Sequence, residues 1–216
     1  MAGAPSAILF DLDGTLTDPK PGITACIRHA MTSLGQPLAT DTDLDWCIGP
    51  PLMQSFAKLV ADPEQAPQAM EHYRERFKEL GMFENSVYPG IPELLQSLSE
   101  RMSLWVATSK PRVFAEKIAD HFGFARYFKG IYGSELDGRF SDKGELIDLI
   151  LREQGLRPEQ TVMIGDREHD IIGAKKNGLR SIGILWGYGS EDELRAAGAG
   201  SLAENPVQLQ TQIGNL

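Results

Sequence analysis

Asp11 and Asp13 carry the first chemistry legible in this chain. They stand in Phe10-Asp11-Leu12-Asp13-Gly14-Thr15, directly after the apolar run Ala7-Ile8-Leu9-Phe10. Aspartate is disfavoured inside strands, so the pair reads as the end of one. At i and i+2 on an extended chain, both carboxylates project from one side. Gly14 permits a sharp turn and leaves its N–H approachable. Two carboxylates and an amide aimed at one point suit a hard cation and a phosphate. An Asp-Gly hairpin turn is the plainer alternative for the hexapeptide taken alone.

Two further polar clusters follow apolar runs in the same way. Thr108-Ser109-Lys110 follows Ser103-Leu104-Trp105-Val106-Ala107, and Gly165-Asp166-Arg167-Glu168-His169-Asp170 follows Thr161-Val162-Met163-Ile164. Lys143 opens the helical pattern Leu146, Ile147, Ile150, Leu151 that leads into the second of these runs. From Tyr88 onward strand and helix signals alternate. A strand is expected near Ile131-Tyr132 and another over 181–185. Helices are expected after Pro89-Gly90, over 111–121, through Ile171, Ile172 and Ala174, and after a Ser190/Glu193 capping box. Alternating strands and helices predict an α/β fold, a doubly wound parallel sheet. Ligands of such sheets bind at the carboxyl ends of the strands. Asp11, Asp13, Thr108, Ser109, Lys110, Asp166 and Asp170 all fall at that edge, with Lys143 nearby. Arg167, Glu168 and His169 read as exposed residues of a first helical turn.

The segment from Pro21 to Leu80 has only helical periodicity. Ile23, Cys26, Ile27, Ala30, Met31 and Leu34 form one stripe, and short helices are expected over 43–47 and 52–60. Another is capped by Asp62, with Pro63 at its first position. It carries Ala66, Met70, Tyr73, Phe77 and Leu80 as an apolar stripe and ends at Gly81. The expected organisation is a core of residues 1–19 and 85–216, interrupted by a small all-α domain over 20–84.

The 216 residues have an ordinary globular composition, 42% hydrophobic and 24% charged. The formal net charge of −9 argues against nucleic-acid polymers and anionic membranes as partners. It also means that a phosphate substrate needs a cation to offset the carboxylates. Residues 1–6 lack the basic region and apolar core of a secretion signal. No apolar run nears the roughly 18 residues that suggest a membrane span. Cys26 and Cys47 show no pairing pattern, which implies a reduced, cytoplasmic chain. Neither cysteine has a neighbouring base in a recognisable motif. Monomer and homodimer are equally open.

The spaced set Asp11-x-Asp13-Gly14-Thr15, Thr108, Lys143 and Gly165-Asp166-x-x-x-Asp170 resembles the haloacid dehalogenase superfamily over nearly the whole chain. Within it, the closest likeness is to phosphatases with a helical cap inserted after the first strand. The resemblance implies a Rossmann-like core and Mg²⁺. Asp11 would be the nucleophile, Asp13 the acid and then the base, and Thr108 a phosphoryl donor. Lys143 would hold charge on Asp11 and the phosphoryl group. Asp11, the Asp13 carbonyl and Asp166 would hold the metal, with Asp170 a further ligand or an acceptor to metal-bound water. Gly14, Thr15, Ser109 and Lys110 would contact the substrate phosphate, Lys110 competing with Lys143 for the lysine role. Gly49, in Ile48-Gly49-Pro50-Pro51-Leu52, would meet the leaving group, because that loop resembles the cap loop that meets substrate. Asp13 favours phosphate esters, since related dehalogenases lack a second acid there. The partner implied is a small phosphate ester. Nucleoside 5'-monophosphates are the leading class, phosphoglycolate the second, and a phosphomutase shares the same residues.

Overall fold

The computed structural model describes residues 4–216. Two compact units are present: the chain up to Thr17 together with Val87–Leu216, and Asp18–Ser86. In chain order the first strand is β1 (Ala7–Phe10), followed by β2 (Thr17–Asp18). The helical unit holds α1 (Lys20–Ser33), α2 (Leu52–Leu59) and α3 (Ala66–Arg76). β3 (Ser86–Val87) pairs with β2 in a two-stranded sheet. The larger unit continues with α4 (Ile91–Ser99), β4 (Ser103–Pro111), α5 (Arg112–His121), β5 (Gly130–Ser134) and α6 (Lys143–Gln154). It closes with β6 (Thr161–Gly165), α7 (Glu168–Lys176), β7 (Arg180–Ile184), α8 (Glu191–Ala197), β8 (Ser201–Ala203) and α9 (Pro206–Gly214).

The main sheet has the order β5-β4-β1-β6-β7-β8, with every neighbouring pair parallel. All four β1 residues are buried, as expected of a parallel strand covered on both faces. The centre of the sheet is therefore β1, where the strand order reverses and such folds open a ligand crevice. Its register decides what meets there. Phe10 lies opposite Val106 on β4 and Ile164 on β6. The next residue of each strand is thus Asp11, Ala107 and Gly165, so the three polar clusters leave the sheet level with one another.

One face of the sheet presents Ala7, Leu9, Trp105, Ala107 and Met163 to Leu146, Ile147, Ile150 and Leu151 of α6. The strand residues alternate and the helix residues repeat every three to four, the two periods that place side chains on one face. Burying an isoleucine of this kind contributes roughly 1.5–3 kcal/mol. α6 is capped by Asp142, which accepts from Glu145 N–H at 2.9 Å, and stops at Gly155 with φ 60°. This packing and capping hold the first residue of α6, Lys143, under the sheet edge.

Several local expectations need correction. β4 continues to Pro111 instead of ending at Ala107, because it pairs with β5 out to Pro111↔Ser134 across a register shift after Thr108. The helix expected from 62 to 81 is three pieces: a 3₁₀ turn over Pro63–Gln65, α3, and a π-turn over Phe77–Gly81. The wider turn breaks the 3.6-residue period, and Leu80, expected in the stripe, is 56% exposed. Ile172 of α7 is likewise exposed. β2, β3, β8 and α9 were not anticipated. The rest of the stripe packs as expected, with Phe56 edge-on to Tyr73 at 5.9 Å and Tyr73 stacked on Phe77 at 5.2 Å. Gly49 lies in the helical unit, where φ 103° demands glycine. Among the described residues, no helix is long and apolar enough to cross a membrane.

Candidate active site

Asp11 begins where the β1 ladder ends, its N–H still donating to Ile164 O at 2.9 Å. Lys143 Nζ donates to Asp11 Oδ1 at 2.9 Å and to Ala107 O at 2.8 Å, and lies 2.8 Å from Asp170 Oδ1. A lysine at a helix N-terminus opposes the helix dipole, and burial alone would lower its pKa. The charges of Asp11 and Asp170 outweigh the burial and hold the ammonium above its ordinary value. Asp170 sits in the first turn of α7, where Oδ2 accepts from Arg167 N–H at 3.2 Å. Burial pushes its carboxyl up to about 6, against the pull of Lys143.

The turn after Asp11 differs from expectation in one respect. The Gly14 N–H is not turned toward a ligand; it donates to Thr17 O at 2.8 Å, closing the loop on itself. Gly14 has φ 86°, and a Cβ there would overlap the Asp166 carboxylate. Its absence of a side chain is what lets Asp166 approach. Thr15 Oγ1 donates to Asp166 Oδ1 at 3.0 Å, so this hydroxyl serves a carboxylate.

Asp13 is also buried, with Lys110 Nζ 2.7 Å from Oδ2. Its Oδ1 has no hydrogen-bond partner among the described residues. Burial raises the Asp13 pKa, while Lys110 opposes the rise. Sequence spacing set Lys110 and Lys143 in competition; the structure gives each its own aspartate. Lys110 reaches Asp13 from the segment where β4 breaks register with β5, a place where irregular ladders re-aim side chains. Thr108 is buried, and its Oγ1 accepts from Lys110 N–H at 3.2 Å. Ser109 points elsewhere, its hydroxyl donating to Ser141 O at 3.2 Å.

Asp166 is wholly buried. Burial, reinforced by the charges of Asp11 and Asp170, drives its pKa well above the usual carboxylate range. One oxygen from each of Asp11, Asp166 and Asp170 lies within 4.8 Å of the others. Fully ionised, the four buried carboxylates (Asp11, Asp13, Asp166 and Asp170) would carry two more negative charges than the two ammonium groups, Lys110 and Lys143, offset. Hard oxygen donors with that residual charge fit a divalent cation such as Mg²⁺. The cysteines take no part: neither is in a disulfide, both are buried, Cys26 Sγ accepts from Arg76 at 3.2 Å, and burial pushes the Cys47 thiol up to about 11.

Sequence reading missed the loop after β7. Trp186 Nε1 donates to Thr15 O at 3.0 Å and Tyr188 N–H to Asp166 Oδ2 at 2.9 Å. Glu193 Oε1 accepts from Arg167 Nε at 2.8 Å and from Glu168 N–H at 2.9 Å. The expected capping box is therefore only half formed: Ser190 accepts from Glu193 N–H, while the Glu193 carboxylate goes to the 165–170 loop. Arg167 is accordingly engaged rather than free on the surface. The available signal was position, since Trp186-Gly187-Tyr188-Gly189 leaves the carboxyl end of the next strand of the same sheet.

A family model for haloacid dehalogenase-like hydrolases matches residues 8–184, which include every one of the strand ends described above except that of β8. The chain belongs to this family. Among haloacid dehalogenase-like proteins it is 54% identical over 191 residues to a 5'-nucleotidase of Pseudomonas aeruginosa, covering 88% of this chain and 86% of that one. It is 36% identical over 190 residues to the tyrosine-protein kinase PtkA of Mycobacterium tuberculosis, covering 88% of this chain and 65% of PtkA. The crystal structure of a predicted phosphatase from Clostridium acetobutylicum superposes with a TM-score of 0.95 at 42% identity. That match covers 99% of this chain and all of the other.

Proposed function

We propose that this protein is a Mg²⁺-dependent phosphatase of small phosphate monoesters, with nucleoside 5'-monophosphates as its preferred substrates. One observation carries the chemistry: two buried aspartates two residues apart, each held by its own lysine. That arrangement separates a nucleophile from an acid. Asp11 Oδ attacks phosphorus and the ester P–O bond breaks, leaving an aspartyl phosphate. Asp13 gives its proton to the departing alkoxide, then takes one from the water that cleaves the acyl phosphate. Lys143 offsets charge on Asp11 and the phosphoryl oxygens, and Thr108 donates its hydroxyl to one of them. Asp11, the Asp13 carbonyl and Asp166 would hold the cation, which supplies charge neutralisation when bound. Asp170, committed to Lys143 and to Arg167 N–H, is better placed to fix that lysine than to bind metal directly.

Substrate class rests on the 54% identity to the Pseudomonas nucleotidase. The 48–52 loop, which carries no arginine for a substrate carboxylate, agrees with it. We assign leaving-group recognition to the helical unit, read as a cap.

The deciding experiment compares kcat/KM for UMP, IMP, phosphoglycolate and sugar phosphates, with Mg²⁺ and with EDTA, for wild type and Asp11→Asn. Phosphate release from nucleotides that is lost with EDTA and in Asp11→Asn is the expected result. Unchanged release in Asp11→Asn overturns the mechanism, and preference for phosphoglycolate overturns the substrate class. Bisphosphate-stimulated isomerisation with little phosphate release would make it a mutase. Label passing from ATP to a tyrosine peptide, without hydrolysis, would make it a kinase.

A further inference from the structure

We propose that Trp186-Gly187-Tyr188, braced by Glu193 of α8, is a positioning clamp that sets Asp166 for cation binding; the inference rests on the metal-dependent reading above. Asp166 has one hydrogen bond to each oxygen, from Thr15 Oγ1 to Oδ1 and from Tyr188 N–H to Oδ2. Each oxygen keeps a second lone pair, and with both ends held the carboxylate cannot turn about its Cβ–Cγ bond. The two donors are themselves joined. The Trp186 indole N–H binds Thr15 O, so the residue that holds Oδ1 is tied to the segment that holds Oδ2. Between them Gly187 lies flat against the aspartate. A Cβ on it would overlap the Asp166 side chain and come to 2.5 Å from Gly14 O. On the far side, Glu193 fastens Arg167 and the N–H of Glu168, so the backbone after Asp166 is also anchored to α8.

This is more apparatus than packing requires. Asp166 is wholly buried, and Thr15 Oγ1 and Tyr188 N–H fix the orientation of its carboxylate from both ends. Partners that orient a ligating carboxylate typically contribute about 10- to 100-fold to metal affinity or activity. None of Trp186, Gly187, Tyr188 or Glu193 belongs to the nucleophile, acid or lysine set.

The test is Mg²⁺ titration calorimetry on the full chain, with the thermal midpoint in EDTA measured alongside. Trp186→Phe keeps the ring and removes the indole donor. Gly187→Ala presses on the aspartate. Mg²⁺ affinity is expected to fall about tenfold in each, with the metal-free midpoint of Trp186→Phe near wild type and its turnover recovered at high Mg²⁺. Unchanged affinity in both variants, while wild type binds Mg²⁺, overturns the clamp and leaves the phosphatase reading intact. A wild type that binds no Mg²⁺ overturns the metal reading and the clamp with it. If Gly187→Ala does not fold, Trp186→Phe decides alone.

Discussion

Lys110 Nζ lies 2.7 Å from Asp13 Oδ2, with both side chains almost wholly out of solvent. The contact sets two effects against each other. Burial favours the protonated acid, and the ammonium favours the carboxylate. Burial is the larger of the two, so the carboxyl lies above its ordinary value, and Lys110 limits the rise. Replacing Lys110 by Met removes only the second effect, so the Asp13 pKa must rise further. The limb of the kcat/KM–pH profile where activity falls as Asp13 deprotonates is expected to move to higher pH. Turnover should drop about 100-fold, because water return through the base form is impaired. A profile with unmoved limbs would separate Lys110 from Asp13.

Asp13→Asn tests the division of labour between the two aspartates. The Asp13 carbonyl survives the substitution, so Mg²⁺ affinity should stay close to wild type while steady-state turnover falls by at least about 100-fold. A substrate with a good leaving group needs little protonation to depart. With p-nitrophenyl phosphate, Asp13→Asn should therefore release one equivalent of nitrophenolate per active site and stop, holding an aspartyl phosphate it cannot hydrolyse. Rapid-quench measurement of the burst checks this; continued linear release would place the base elsewhere.

The parts of the site that were legible in the sequence are those joined by backbone register. Asp11, Thr108 and Asp166 follow three apolar runs, and parallel pairing brings the ends of such runs level. What could not be read was which side chain meets which. Lys110 and Lys143 stand in similar relation to the sheet edge, and the sequence carries no sign that Lys110, from the segment where the β4–β5 ladder shifts register, meets Asp13. The Gly14 amide looked free because a glycine after two aspartates carries no sign of its partner, Thr17 O, three residues on. Leu80 left its stripe because a π-turn shifts phase within one turn, and a periodic pattern gives no warning of it. Glu193 obeyed a local capping rule with its backbone and broke it with its carboxylate, since a long-range partner, Arg167, was available.

Gly14→Ala should act on stability and metal together. The left-handed backbone costs an L-residue about 1–2 kcal/mol, which in a chain of this size lowers the midpoint by roughly 2–8 °C. The added Cβ also overlaps the Asp166 carboxylate. The metal-free protein is expected to melt a few degrees lower, and Mg²⁺ is expected to recover less of that loss than it adds to wild type. Calorimetric melts in EDTA and in Mg²⁺ give both quantities. A variant stabilised by Mg²⁺ as much as wild type would show that Asp166 has moved without consequence.

The acidic cluster predicts how cation binding depends on pH. Asp170 is raised from 3.8 to about 6, and Asp166 lies well above the same reference value. Groups whose folded pKa exceeds the unfolded one favour the fold fully below the unfolded value, near 3.8. They lose that contribution as pH climbs through the folded values. Without a cation, the cluster is therefore most costly at neutral pH and above. A divalent cation favours the carboxylates, so its binding must displace the protons still present. Between pH 5 and the folded pKa values, Mg²⁺ affinity should rise with pH by up to about tenfold per unit for each proton displaced, then level off. The Mg²⁺-induced rise in Tm should be small at pH 5 and large at pH 7.5, and near pH 6 the binding heat should vary with the ionisation enthalpy of the buffer. A Tm increment that is constant across that range would mean the cation binds away from Asp166 and Asp170.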